Sequence, residues 1–407
     1  MDSLEDAVRT RRDSSLDQLK QAIIAAKMPT TSIEEWRYSK IDELELNEYG
    51  PAVGTSDRKV LDSALFDIVN KFHPQAVTIT SGNRGVEISR EVPRGVVLED
   101  FDPQDISHDF SGADIFYNLN ALLSSPVTLI VKNDFDTDQP LMIVRYLDGD
   151  HKVVFPNLCI KVEAGTRVKV IEVLVSSDQA EILVVPVTKV YQESNSTCEY
   201  LLIEDLGART QMIGHQISRL ESEASFKSMS IVSGGSYARI FTTSTIAGAG
   251  ARSNLNAAYF GNGDQVLEFR TLQEHSAKNG RSELYFKGAA ADRAHLVYSG
   301  LIKVDKGATS TDAFQTNKNL VLSQGARADS VPNLDIQEND VRCSHASSVG
   351  PIDQEQSYYL ESRGIDPESV QRLIVGGFFA EMAERSDIGG VKEVLFELAA
   401  RKWEELR

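Results

Sequence analysis

The chain has 407 residues, 41% hydrophobic and 25% charged, which is the balance of a folded globular protein long enough for several domains or one elongated one. Its formal charge of −18 argues against a nucleic-acid backbone or an anionic membrane as the main partner. Three sparse cysteines (Cys159, Cys198 and Cys343) and the early acids of Met1-Asp-Ser-Leu-Glu-Asp6 predict free thiols in a reducing cytoplasm, with no secretory or transit signal. The strongest apolar runs, 182–187 and 373–379, are too short to cross a bilayer.

In chain order, Leu16, Leu19, Ile23 and Ile24 recur at helical spacing and predict an amphipathic helix within residues 4–28. Residues 47–57 are rich in Gly, Pro and Ser and read as a linker, and 58–72 as a second helix. From about 76 to 336 the texture changes to short β-rich runs with almost no helical period between them. They fall at 76–80, 127–131, 158–162, 167–175, 182–190, 198–203, 211–217, 226–232, 237–242, 254–259, 265–272, 283–287 and 295–298. So many strands without helical crossovers predict a mainly β protein: a sandwich, a barrel or a parallel solenoid. Small polar residues (Ser228, Ser230, Thr242–Thr245, Asn254 and Asn256) are read as inward-facing and favour the solenoid, because they stack from rung to rung where a sandwich demands bulk. No strict period is visible.

After Gly350 the pattern turns helical. Asp353 caps a short helix that Gly364 stops, and Asp366-Pro367-Glu368 restarts one as N-cap, N1 proline and first-turn acid. Val370, Leu373, Ile374, Phe378 and Met382 form its apolar face. Gly389-Gly390 breaks it, and a last amphipathic helix runs to the terminus. These helices, with Phe378, Phe379 and Trp403, either cap the β body or offer a docking face. The organisation expected is a helical or mixed region 1–97, a β core 98–350 and a helical region 351–407.

The chain has no phosphate-binding glycine loop, no strand–GxGxxG–helix, no GxSxG elbow, no HExxH and no CxxC. No carboxylate pair stands out as an acid/base dyad, so the chain does not read as an enzyme. Cys159 and Cys198 lie within strand runs and read as small buried thiols. His215, His275 and His295 read as hydrogen-bonded structural histidines. Cys343 and His345 differ in their spacing. On extended backbone, residues i and i+2 leave one face with Cα atoms about 6–7 Å apart. A thiolate and an imidazole so placed hold one soft or borderline metal ion, and a second protein, a transferred cluster or solvent must finish the site.

The stretch Thr311-Asp-Ala-Phe-Gln-Thr-Asn-Lys-Asn-Leu-Val-Leu-Ser323 opens a long ordered signature. It continues through Ala328-Asp-Ser-Val-Pro-Asn-Leu-Asp-Ile336, Asp340-Val-Arg-Cys-Ser-His345, Gly350 and Tyr359-Leu-Glu-Ser-Arg-Gly-Ile365. With Glu34-Glu-Trp-Arg-Tyr-Ser39 near the start, it resembles the SufB/SufD family of iron–sulfur cluster assembly scaffolds. Ser344 and Ala346 around the histidine, with Cys343 before it, follow the SufD-like pattern. Asp335 and Ala346-Ser347 depart from the family's usual residues and put local geometry in question more than role.

The resemblance implies a right-handed parallel β-helix flanked by N- and C-terminal helical regions. It further implies pairing with a SufB-like subunit through the β-helices and docking of a SufC-like ABC-type ATPase on the C-terminal helices, through Phe378, Phe379 and Met382. Cys343 and His345 then assist iron or a nascent cluster at the subunit interface, with none held stably by the isolated chain. The competing readings are a polysaccharide-active β-helix enzyme and a homodimeric scaffold working without a SufB-like partner.

Overall fold

The computed structural model describes residues 4–10, 17–52, 63–82, 85–99, 114–124 and 126–406. Leu16 and the predicted helical stretch 58–62 lie outside them. Two sheets face each other, and from Leu141 onward the chain alternates between them. Thr197–Asp205 lies in one, Gln211–Leu220 in the other, Ser225–Val232 in the first again, and so on to Val341–Gly350. Each strand pairs in parallel register with the one a full turn away, so the body is a parallel β-solenoid of about eight turns. Only the opening differs: Val96–Glu99 runs antiparallel to Val127–Val131, and Val77–Gly82 antiparallel to Gly85–Ile88. Solenoid pairing also begins before residue 98, because Val77–Gly82 lies beside Leu141–Leu147.

Period-2 alternation explains the two faces of every strand. Leu267 and Phe269 join the interior while Val266 faces outward. Inside, Tyr259, Phe269, Phe286 and Tyr298 form a ladder of rings with centroids 4.6, 5.4 and 5.5 Å apart. Burying each such side chain contributes about 1.5–3 kcal/mol. Ser228, Ser230, Thr242 and Ser244 are buried as expected, whereas Asn254 is only half-buried. The hydroxyls of Ser218, Ser244 and Ser253 link in series at 2.8 and 2.7 Å, so the polar interior satisfies itself in part. Turn length varies at the corners: Gln211 pairs with Tyr237, 26 residues on, and His295 with Arg327, 32 residues on. That variation hides any fixed period in the sequence.

Among the described residues seven α-helices flank the body: α1 (Leu4–Thr10), α2 (Asp17–Ala25), α3 (Ala64–Phe72), α4 (Ile115–Leu123), α5 (Gln354–Ser362), α6 (Pro367–Ala383) and α7 (Val391–Glu405). Among the described residues, none is long and apolar enough to cross a membrane. The predicted caps are in place: Asp353 accepts from Glu355 N and Gln356 N, Asp366 accepts from Ser369 N, and Gly364 takes the left-handed φ of 85° that L side chains resist. Helices α3, α6 and α7 cover the sheet that ends at Val341–Gly350, packing Leu65, Val375, Leu395 and Leu398 on Ile171, Leu201, Ile231 and Phe260. The N-terminal segment and α4 cover the other sheet through Trp36, Ile41 and Phe116.

Candidate functional site at the open end of the solenoid

The last strand, Val341–Gly350, pairs on one side only, with Thr311–Val321. Arg327–Ile336 ends the other sheet in the same way. No described helix covers this end, so both strands are exposed or half-exposed along their length. A strand with one unpaired edge presents a row of backbone donors and acceptors. Leu334, Ile336 and Val349 add exposed apolar surface along this rim.

Cys343 and His345 lie on this strand, in register with Ala313 and Gln315 of the turn beneath. Val341 and Cys343 pack on Ile302, Val304 and Ala313, which shows that odd-numbered residues face the solenoid axis. Ser347, farther along that face, donates to Ser330 Oγ at 2.7 Å across the rim. By alternation His345 shares the axial face, and it is exposed because no further turn lies over it. The backbone is therefore extended as the spacing required, and the thiol and imidazole project side by side.

Cys343 is half-buried. Burial pushes its thiol pKa up and Asp312 adds to the rise, while a hydrogen bond with the Ala313 backbone partly opposes it. Such a thiol is held in reserve: a metal or a cationic neighbour must draw out the thiolate. The described residues supply two donors here and no more.

The remaining candidates fall into place around the fold. Cys159 and Cys198 are buried in strands. His215 meets Asp114 at 3.1 Å, His275 meets Ser282 at 2.8 Å and His295 meets Asp329 at 2.6 Å, each a hydrogen bond made through Nε2 within the chain's own fold.

Of the expected partner contacts Phe378, Phe379 and Met382, the last two lie inside the chain's own packing, while Phe378 keeps part of its ring exposed. Phe379 and Met382 are fully buried against the solenoid, and Phe378 is partly covered in the same cluster. Lys287 holds them there, donating to Phe378 O at 2.7 Å and pairing with Glu381. An apolar face read from periodicity belongs here to the chain's own core. The outward residues on these helices are Tyr358 (74% exposed), Tyr359, Leu373 (55%) and Phe396. The spacing of Leu373 within the apolar face gave no hint that it turns away.

The Glu34-Glu-Trp-Arg-Tyr element is a clasp. Arg239, buried under it, pairs with Glu268, donates to Glu35 O at 2.7 Å and lies against the Trp36 ring. At the opposite corner α7 is tied down by ions. Arg401 reaches Asp205 at 2.7 Å, and Lys402 reaches Asn262 and Gln265 at 2.8 and 3.0 Å. Beneath it Glu204 accepts from Ser233 N and Gly234 N, and burial pushes its carboxyl up to about 7.

The fold and rim together define a parallel β-solenoid whose last turn pairs on one side only and carries a thiol and an imidazole at that edge. Residues 145–378 match the family model described as "SUF system FeS cluster assembly, SufBD core domain", and the chain belongs to that family of iron–sulfur cluster assembly proteins. It is 26% identical to "Iron-sulfur cluster assembly protein SufD" of Escherichia coli over 402 residues, 96% of this chain and 93% of that protein. It is 30% identical to "Iron-sulfur cluster assembly SufBD family protein Rv1462" of Mycobacterium tuberculosis over 336 residues, 79% and 80% of the two chains. It is 28% identical to the SufD of Bacillus subtilis over 285 residues, 69% and 65%. This membership replaces the polysaccharide-active reading.

Proposed function

We propose that the chain is a non-enzymatic, SufD-type scaffold subunit. It pairs edge to edge with a SufB-type subunit through the rim at Arg327–Ile336 and Val341–Gly350, and it offers Cys343 and His345 to iron or a nascent cluster as cargo. The observation that carries this reading is the uncovered last turn, where two metal donors stand beside an unpaired strand edge. A mating solenoid edge would satisfy the backbone groups, cover Leu334, Ile336 and Val349, and supply the donors this chain lacks. In the isolated chain the same edge supports a homodimer.

The C-terminal helices dock a SufC-type ABC ATPase through their outward residues Tyr358, Tyr359, Leu373 and Phe396. Because α6 and α7 rest on the sheet that carries Cys343, nucleotide-driven movement of these helices has a packed route to the rim. At the site the thiol gives up its proton and the imidazole offers a neutral nitrogen, so each ligation step releases or excludes a proton. The test is anaerobic co-expression with SufB- and SufC-type partners, followed by iron analysis and absorbance of the complex. Cys343→Ser and His345→Ala should each lower iron content several-fold while the complex still assembles. Iron content equal to wild type in both variants would sink the reading.

A further inference from the structure

We propose that Gln315 is a positioning residue for His345: its carboxamide oxygen accepts one ring N–H of the imidazole and leaves the other nitrogen's lone pair facing out of the rim. This inference rests on the metal-donor reading of His345 given above. Gln315 sits directly beneath His345 in the parallel register, on the same axial face, with strands about 4.8 Å apart. It is 1% exposed; its amide nitrogen lies against the Tyr298 hydroxyl, while its carbonyl oxygen meets no hydrogen-bond geometry with a described protein group. A buried carbonyl oxygen left unpaired is costly, so its retention at this place calls for a donor. A Cβ built on Gly300 would lie 2.1 Å from Tyr298 Oη and 2.2 Å from Gln315 Nε2. The missing side chain at 300 is thus what lets the tyrosine hydroxyl and the amide nitrogen come together. Tyr298 is itself anchored by Thr271 at 3.2 Å. With Nε2 drawn to the Tyr298 side, the other arm of the amide, its acceptor oxygen, is left for the imidazole above.

The chemistry follows from imidazole. A neutral ring has one donor and one acceptor nitrogen, and whichever nitrogen donates to a fixed oxygen settles which one binds metal. Outer acceptors of this kind also raise ligand basicity, and losing one typically costs about 10–100-fold in metal affinity.

The experiment uses the complex co-expressed anaerobically with its SufB- and SufC-type partners, titrated with Co(II) alone and followed by its visible absorption bands. Gln315→Met keeps the reach and loses the hydrogen bond; it should weaken Co(II) binding about tenfold or more and shift the bands. Gln315→Glu keeps an acceptor oxygen and should recover most of the affinity. Should the methionine variant fail to assemble, Tyr298→Phe removes only the hydroxyl that turns the amide, and the same weakening and band shift are expected. Wild-type affinity and bands in these variants, alongside loss of binding in His345→Ala, would overturn the positioning role and leave the donor reading standing. Unchanged binding in His345→Ala and Cys343→Ser would overturn both.

Discussion

The guanidinium carbon of Arg239 lies 4.0 Å from the centroid of the Trp36 ring, and through that contact the N-terminal segment is clasped to the outer face of the solenoid. Trp36 is also 5.7 Å from Phe116 of α4, so one ring joins three parts of the chain. Trp36→Ala should destabilise the protein by about 3–5 kcal/mol, because it opens a cavity and strips a buried cation of its aromatic cover. Denaturant unfolding measures this. A shift below ~1 kcal/mol would mean the clasp is ornamental.

The C-terminal helices separate core from contact surface. Met382→Ala and Phe379→Ala should cost about 2–5 kcal/mol in folding stability, since both side chains are buried in the seam with the sheet. Leu373→Ala and Tyr358→Ala, on exposed positions, should change stability by less than about 0.5 kcal/mol yet weaken capture of a SufC-type ATPase. Titration calorimetry with the purified ATPase, beside thermal melts, distinguishes the two groups. The reverse pattern would show that these helices rearrange before docking.

Glu204 gives a pH dependence with a definite sign. Its carboxyl is fully buried and raised to about 7, whereas the unfolded chain titrates near the ordinary 4.5. Between those values the folded state holds a proton that the unfolded state has lost, so stability falls as pH rises from about 4.5 to 7 and then levels off. The integrated effect is about 3 kcal/mol. Glu204→Gln stays neutral throughout and should remove this falling limb. Denaturant midpoints at pH 5 and 7.5 check it: the wild-type-minus-variant difference should become more unfavourable at the higher pH.

The rim makes a separate prediction. Leu334→Lys with Ile336→Lys places charges on the exposed end of Arg327–Ile336, where charge blocks edge pairing. The double variant should keep the unfolding midpoint of the isolated chain and lose self-association and SufB-type pairing. Mass measurement in solution reads this directly, and an intact dimer would move the mating surface elsewhere.

Much of this architecture is legible in the sequence. Runs such as 127–131 and 226–232 alternate or carry β-branched residues, and their strand character follows from that chemistry. The caps at Asp353 and Asp366 were equally plain, because a capping carboxylate acts within three residues of itself. Helix α4 was not foreseen: Ile115-Phe-Tyr-Asn-Leu-Asn-Ala-Leu-Leu123 is aromatic and apolar on several sides, and its helicity comes from packing beneath the clasp. The strand Leu141–Leu147 carries no alternation signal, since it is a run buried on both faces.

At the site, the same-face relation of Cys343 and His345 followed from spacing alone, but their exposure did not. Whether a strand is the last in its sheet depends on which segment comes after it, here a helix instead of another turn. Phe379 and Met382 illustrate the same limit. Helical periodicity shows that a face is apolar and leaves open whether that face meets the chain's own sheet or another molecule.

The bare final turn has a consequence for how the protein lives in the cell. On the proposed pairing, a column that ends without a lid would depend on a mate supplied in equal dose, and surplus copies would stack on one another or reach the proteases.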